Sequence, residues 1–344
     1  MAIEITGSYR FLKARPEWLA LRQETILEPE RAILDAHHHI WEQDGNPYLL
    51  DALVADLETG HNVVGTVFIE AHYGHRTDGP LALRPVGETE RIDQLAQEAG
   101  RRGRPGICTG IVGFADLMLG EQVRPVLEAH VATSPTRFKG VRHFVSHDPA
   151  FPDGIIVKPA NPGLLGSTAY RAGLRAVSRH GLSYDAMLYH RQIPELTEVA
   201  RLLPDLSIVL DHYGSILGVG PFAAQPRETF EAWRKDLAAL ATCPNVSIKL
   251  GGMGMVICGG RWHENEIPPG SDELAQAWRP YFDTALALFG VERCMFESNF
   301  PVDKGMVSYP VLWNAYKRLA SGMTESEKSA LFHDNACRFY RIVT

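Results

Sequence analysis

Ala32-Ile33-Leu34-Asp35-Ala36-His37-His38-His39-Ile40-Trp41, residues 32–41, is the stretch whose reading decides the fold. A short apolar run leads straight into three histidines. Side chains of an extended chain alternate between faces, so His37 and His39 point the same way. Two imidazoles on one face at a strand end can grip a divalent metal or polarise a carbonyl. Each histidine alone has an ordinary reading as a satisfied surface or core group. The place of the pair favours a site, because it closes a buried-looking strand at the start of a long repeating pattern.

Outward from that strand, short apolar or β-branched runs recur with helical stretches between them. The expected strands are 32–36, 63–71, 106–114, 138–145, 183–189, 207–212, 246–250 and 293–297. Helical spacing falls at 88–102, 121–132, 168–179, 193–203, 228–241 and 272–289. Gly181, Pro204 and Gly290 read as helix stops. Eight such units predict an α/β chain closed into a (β/α)8 TIM-type barrel. An open doubly wound sheet fits less well, because no Gly-x-Gly-x-x-Gly follows the first strand. Residues 1–31 read as an N-terminal helical extension, with an amphipathic helix over 16–28, and 32–344 as the barrel. The Gly- and Pro-rich stretch 251–271 reads equally as a lid or as a plain surface insertion.

The chain has 344 residues, 45% hydrophobic and 22% charged, with net charge -7. The negative balance argues against nucleic-acid and anionic-membrane partners. No apolar stretch has the length of a bilayer-spanning helix, and no secretory signal is read at Met1-Ala2-Ile3-Glu4. Five cysteines at 108, 243, 258, 294 and 337 form no Cys-x-x-Cys pair. Reduced thiols and a cytoplasmic location are expected. The expected partner is a small-molecule substrate, and a homo-oligomer stays open.

In such barrels the chemistry sits at the C-terminal strand ends. Those ends carry His37 and His39, Glu70 and His72, Arg142 and His143, Asp185 and His190, Asp211 and His212, and Glu297 and Asn299. A chance scatter of 14 histidines would not favour them so consistently. His212 is the expected third imidazole. Arg142 on a barrel strand must meet a carboxylate, either a substrate's or Glu70. His190 is a further substrate-binding candidate beside Glu70 and Arg142.

Asp35-x-His37-x-His39-x-Trp41, Gly140-Val141-Arg142-His143, Leu210-Asp211-His212-Tyr213-Gly214 and Met295-Phe296-Glu297-Ser298-Asn299-Phe300-Pro301-Val302 together resemble the amidohydrolase-related family. That branch of the amidohydrolase superfamily contains pyrone dicarboxylate lactonase and sugar lactonases. The resemblance runs in matching order from Ile33 to Tyr340. It implies a distorted barrel and hydrolysis of a lactone or related ester or amide. A metal-dependent decarboxylase of the same superfamily and a non-catalytic binding barrel are the alternatives. The family usually has Gly-Ser-Asp-Trp-Pro on the last strand, where this chain has Glu297-Ser298-Asn299-Phe300-Pro301. An amide cannot serve as a general base. By alternation Glu297 should face the same way as Asn299 and supply the missing carboxylate.

The expected catalytic set is therefore His37, His39, His212, Glu297 as base and Asn299 as orienting group. His37, His39 and His212 are the expected ligands if one zinc-like divalent metal is bound. A metal-free route, with imidazoles donating to the oxyanion, is equally open.

Overall fold

The computed structural model describes residues 12–42, 46–155 and 159–343. Eight parallel strands follow chain order around one sheet: β1 (Ala32–His38), β2 (Asn62–Ile69), β3 (Gly110–Phe114), β4 (Phe138–Arg142), β5 (Ser183–Ala186), β6 (Ile208–Leu210), β7 (Val246–Leu250) and β8 (Cys294–Phe296). The ring closes just past β8, where His38 bridges Phe300 in parallel and the His39 N–H donates to the Phe300 carbonyl at 2.7 Å. This is the (β/α)8 barrel the periodicity predicts. The helix expected at 168–179 is found as Thr168–Arg179, capped by the Ser167 hydroxyl. Several strands stop earlier than expected, since β5 ends at Ala186 and β8 at Phe296. The chain runs on as irregular backbone, apolar after β5 (Met187, Leu188, Tyr189) and polar after β8 (Glu297, Ser298, Asn299).

Inward positions change character along the barrel. Near the bottom, Leu34, Val67, Val112, Val209 and Met295 form an apolar layer, plugged from below by Tyr340 and Ile342. One step further along the strands, the inward residues of β4, β5 and β7 are Arg142, Asp185 and Lys249, joined by Asp211 and Glu297 beyond the ends of β6 and β8. A register shift between Asp35 and His38 breaks strict alternation in β1. It lets His37 turn inward although Ala36 already packs in the interior layer.

The expected helix over 16–28 shrinks to Pro16–Leu19, and the rest of the described N-terminal segment is extended. Its backbone partners explain why. The segment lies along the 251–271 loop and spends its polar groups there. Trp18 Nε1 donates to the Asn265 carbonyl at 3.0 Å and Arg22 Nε to that of Pro268 at 3.1 Å. Glu24 Oε1 accepts from the Ser271 N–H at 2.7 Å, and Arg15 also reaches the His263 carbonyl. The loop so clamped lies over the mouth, where Met255 and Ile257 pack with Phe151, Met187, Tyr189 and Leu217. Among the described residues, no helix is long and apolar enough to cross a membrane.

Candidate active site

His37 is the centre of the buried polar cluster. Its Nε2 lies 3.2 Å from Nε2 of His39 and 3.3 Å from a guanidinium nitrogen of Arg142. Its Nδ1 lies 3.1 Å from Lys249 Nζ and 2.9 Å from Glu297 Oε2. Burial, and then the Lys249 charge, push its pKa down to about 4, so the ring is neutral near pH 7. His39 donates from Nδ1 to the Ile69 carbonyl at 2.9 Å, which leaves its Nε2 lone pair facing His37. Its ring also stacks on Trp41 at 5.6 Å between centroids. Burial holds His39 well below the usual imidazole range. Neutral imidazoles with one nitrogen fixed by a carbonyl are the form that ligates metals.

His212 follows β6 and joins the same cluster, its ring 4.6 Å from that of His37. It sits at φ +53, with Tyr213 at +55 behind it. Two consecutive non-glycine residues in the left-handed region cost about 1–3 kcal/mol each and need local support. Glu297 supplies it: Oε1 accepts from His212 Nδ1 at 2.7 Å and from the His212 N–H at 3.3 Å. Gly252 makes room, because a Cβ there would come within 2.5 Å of His212 Nδ1. Glu297 thus bridges two imidazoles, one per carboxylate oxygen. Burial raises its pKa, but the His212 and His37 charges outweigh this and hold it at about 2. Such a carboxylate orients rings and is a poor proton acceptor at neutral pH.

Arg142 is turned to Glu70 instead of being free for substrate. Nε donates to Glu70 Oε1 at 2.8 Å and another guanidinium nitrogen to the Glu70 carbonyl at 2.7 Å. Its third nitrogen remains beside His37 and lies 3.6 Å from Asp211. The internal salt bridge is therefore the one formed, with one edge of the guanidinium left toward the imidazoles. Lys249, wholly buried, pairs with Asp185 at 2.8 Å and Asp211 at 3.0 Å. Tyr340 donates to the same Asp185 oxygen at 2.6 Å, tying the bottom plug to the charged layer. Lys249, Asp185 and Asp211 receive no role in the sequence reading. Their signal in the sequence is one charged residue near or just past the end of each of three otherwise uncharged strands.

One expectation fails. Glu297 and Asn299 do not share a direction. Both lie beyond the end of β8, and Asn299 has φ +54, which breaks strand alternation between them. The Asn299 amide instead donates to Asp303 Oδ1 at 2.8 Å. His190 makes no hydrogen bond to the other imidazoles among the described residues. Its Nδ1 accepts from the Leu217 N–H at 3.2 Å, and its ring meets Phe222 edge-on at 5.4 Å.

One ligand atom from each of His37, His212 and Glu297 lies within 4.8 Å of the others. Two imidazoles and a carboxylate are a donor set that zinc accepts with a position left for water. Glu297 Oε2, for all its closeness to His37, and Glu70 Oε2 are buried without a well-aligned hydrogen-bond donor. Four carboxyls (Glu70, Asp185, Asp211, Glu297) face two permanent cations, Arg142 and Lys249. The donors and the surplus of acid both fit a divalent cation. Glu297 takes the place expected for His39, which meets His37 on the other ring nitrogen.

Burial also fixes the acid response of the fold. His37, His61, His130 and His190 are pushed to about 4, His38 to about 3, and His39 well below the usual imidazole range. Unfolded histidines protonate near 6.5, so each depressed one removes stability as pH falls from there to its folded value. Burial raises several carboxyls, among them Asp35 to about 6, Asp303 to about 7 and Glu88 to about 8, and these act oppositely. Below about pH 6 the depressed buried histidines are the larger group, so the fold should lose stability as pH falls. Thermal unfolding followed between pH 7 and 4.5 should show a steep fall. A flat profile across that window would contradict it.

The amidohydrolase family model matches residues 34–342. The uncharacterized protein y4mH of Sinorhizobium fredii is 34% identical over 325 residues, 90% of this chain and 99% of its own. An L-fucono-1,5-lactonase of Burkholderia ambifaria is 28% identical over 327 residues, 90% of this chain and 95% of its own. An amidohydrolase of Burkholderia multivorans, solved with bound zinc, has the same fold. Its TM-score is 0.68 at 23% identity, covering 91% of this chain and 99% of that one. The family match begins two residues into β1, leaving the N-terminal strap outside it. With that match across the barrel and a 34% identical relative covered almost end to end, this chain belongs to the amidohydrolase family.

Proposed function

We propose that this protein opens a small lactone by attack of water on its carbonyl at the barrel mouth. The observation that carries the reading is the Glu297 carboxylate joining His37 and His212 beside the free edge of Arg142. The relative named as a sugar-acid lactonase supports the substrate class. Ester hydrolysis needs a stabilised oxyanion, an activated water and a proton for the leaving alcohol. The guanidinium edge of Arg142 is a permanent donor for the oxyanion. Glu297 holds the two imidazoles in fixed orientation, and the apolar roof of Met255 and Ile257 keeps bulk water out. A divalent cation on His37, His212 and Glu297 would supply Lewis-acid polarisation of the carbonyl.

The test is a panel of aldonic 1,5- and 1,4-lactones, a pyrone dicarboxylate and aromatic carboxylic acids, with protein purified without chelator and its metal content measured. Ring opening with release of one proton per turnover is expected. Carbon dioxide release from an aromatic acid, with every lactone untouched, would replace the reading by the decarboxylase alternative.

A further inference from the structure

Asp303 lies four residues beyond Asn299 and is completely buried. Asn299 Nδ2 donates to Oδ1 at 2.8 Å, and the Gly254 N–H donates to Oδ2 at 2.9 Å. The approach is close, since a Cβ on Gly254 would fall 2.6 Å from Oδ2. Every other carboxyl of the cluster meets a cationic or imidazole side chain, as Glu70, Asp185, Asp211 and Glu297 do. Asp303 is held only by an amide and a backbone N–H. The ionisable groups around it are His212 after β6, Glu297 after β8, Cys258 in the roofing loop and Tyr316 on the helix Tyr309–Leu319.

We propose that Asp303 is the acid–base residue of this site, the carboxyl missing at position 299 displaced four residues along the chain and presented by Asn299. The inference rests on the ring-opening reading above. As carboxylate, Asp303 takes a proton from water while the water oxygen bonds to the lactone carbonyl carbon. As acid, it returns that proton to the ring oxygen when the carbon–oxygen bond breaks. One water is consumed, and no oxidant or reductant enters. Burial raises the Asp303 pKa to about 7, where one group can perform both transfers, whereas Glu297 at about 2 is a weak base.

The experiment compares Asp303→Asn with the exchange variant Asn299→Asp/Asp303→Asn. In the exchange, the amide moved to position 303 can still accept from Gly254 and donate to the carboxylate moved to position 299. The hydrogen bonds survive and only the carboxyl moves. Asp303→Asn should lower kcat by about 10²–10⁴-fold with KM little changed, and abolish the inflection near neutral pH. The exchange should recover about tenfold or more of that loss. Retained turnover and an unchanged pH profile, with a lowered Tm, would overturn the proposal and leave Asp303 a structural acceptor. If Asp303→Asn fails to fold, the exchange variant carries the test through its shifted inflection. If the wild type opens no lactone, the ring-opening reading fails separately. Infrared titration then decides: a carboxylic C=O band lost near pH 7 in wild type and moved in the exchange variant to the pH of its shifted inflection is expected, and its absence from wild type overturns the assignment.

Discussion

Lys249→Met is expected to destabilise the fold by about 3–5 kcal/mol at pH 8, the cost of leaving buried charges without their partner. Lys249 is the central counter-charge of the barrel. It reaches Asp185, Asp211 and His37 within 3.1 Å and is wholly buried. Methionine fills similar volume, so the effect isolates charge from packing. Asp211 would keep Arg142 at 3.6 Å and His37 at 3.7 Å, and Asp185 the Tyr340 hydroxyl. The sign of the pH dependence follows. Burial and then the Asp211 charge raise Asp185 against the pull of Lys249. Without the lysine Asp185 rises further above its unfolded value and Asp211 loses the main cause of its depression. The variant then binds protons more tightly folded than unfolded, so its deficit relative to wild type should shrink as pH falls from 8 toward 5.5. Urea unfolding at the two pH values measures this. Adding Asp185→Asn should restore part of the loss through direct coupling. Equal stability of variant and wild type at both pH values would show that the charged layer is hydrated or rearranged.

What the sequence made legible follows from what is local in it. His37, His39 and His212 stand at strand ends flanked by apolar runs, and strand periodicity puts such residues at a barrel mouth. Glu297 was recognisable because it replaces a glycine in a known motif. Lys249 and its aspartates were harder to assign. Each strand shows a single charge, and only barrel closure brings β4 to β8 around one axis. Asp303 was invisible for another reason. Its link to Asn299 depends on the left-handed turn at 299, which strand alternation does not contain. The N-terminal helix ends early because its side chains are spent on the 251–271 loop, whose carbonyls accept from Trp18 and Arg22.

Glu297→Gln separates two roles for the residue on which the site turns. A base that activates water would lose about 10²–10⁴-fold in rate, and the neutral-pH inflection would vanish with it. A carboxylate that orients imidazoles or helps hold a metal should cost about 10–100-fold and leave the inflection in place. The second outcome is expected. Oε1 of Glu297 accepts from His212 at 2.7 Å, Oε2 lies 2.9 Å from His37 Nδ1, and these neighbours hold its pKa at about 2. Glutamine keeps the shape but offers one acceptor and one donor. It can satisfy His212 and must then present an N–H to His37, which already faces Lys249 and Arg142. His37 would lose its orientation first, so the rate should fall together with the metal content of the purified protein. The strained His212 turn would lose its charged acceptor as well, so Tm should drop while the pH profile keeps its form. Full loss of the inflection in Glu297→Gln, with Asp303→Asn near wild type, would return the base to Glu297.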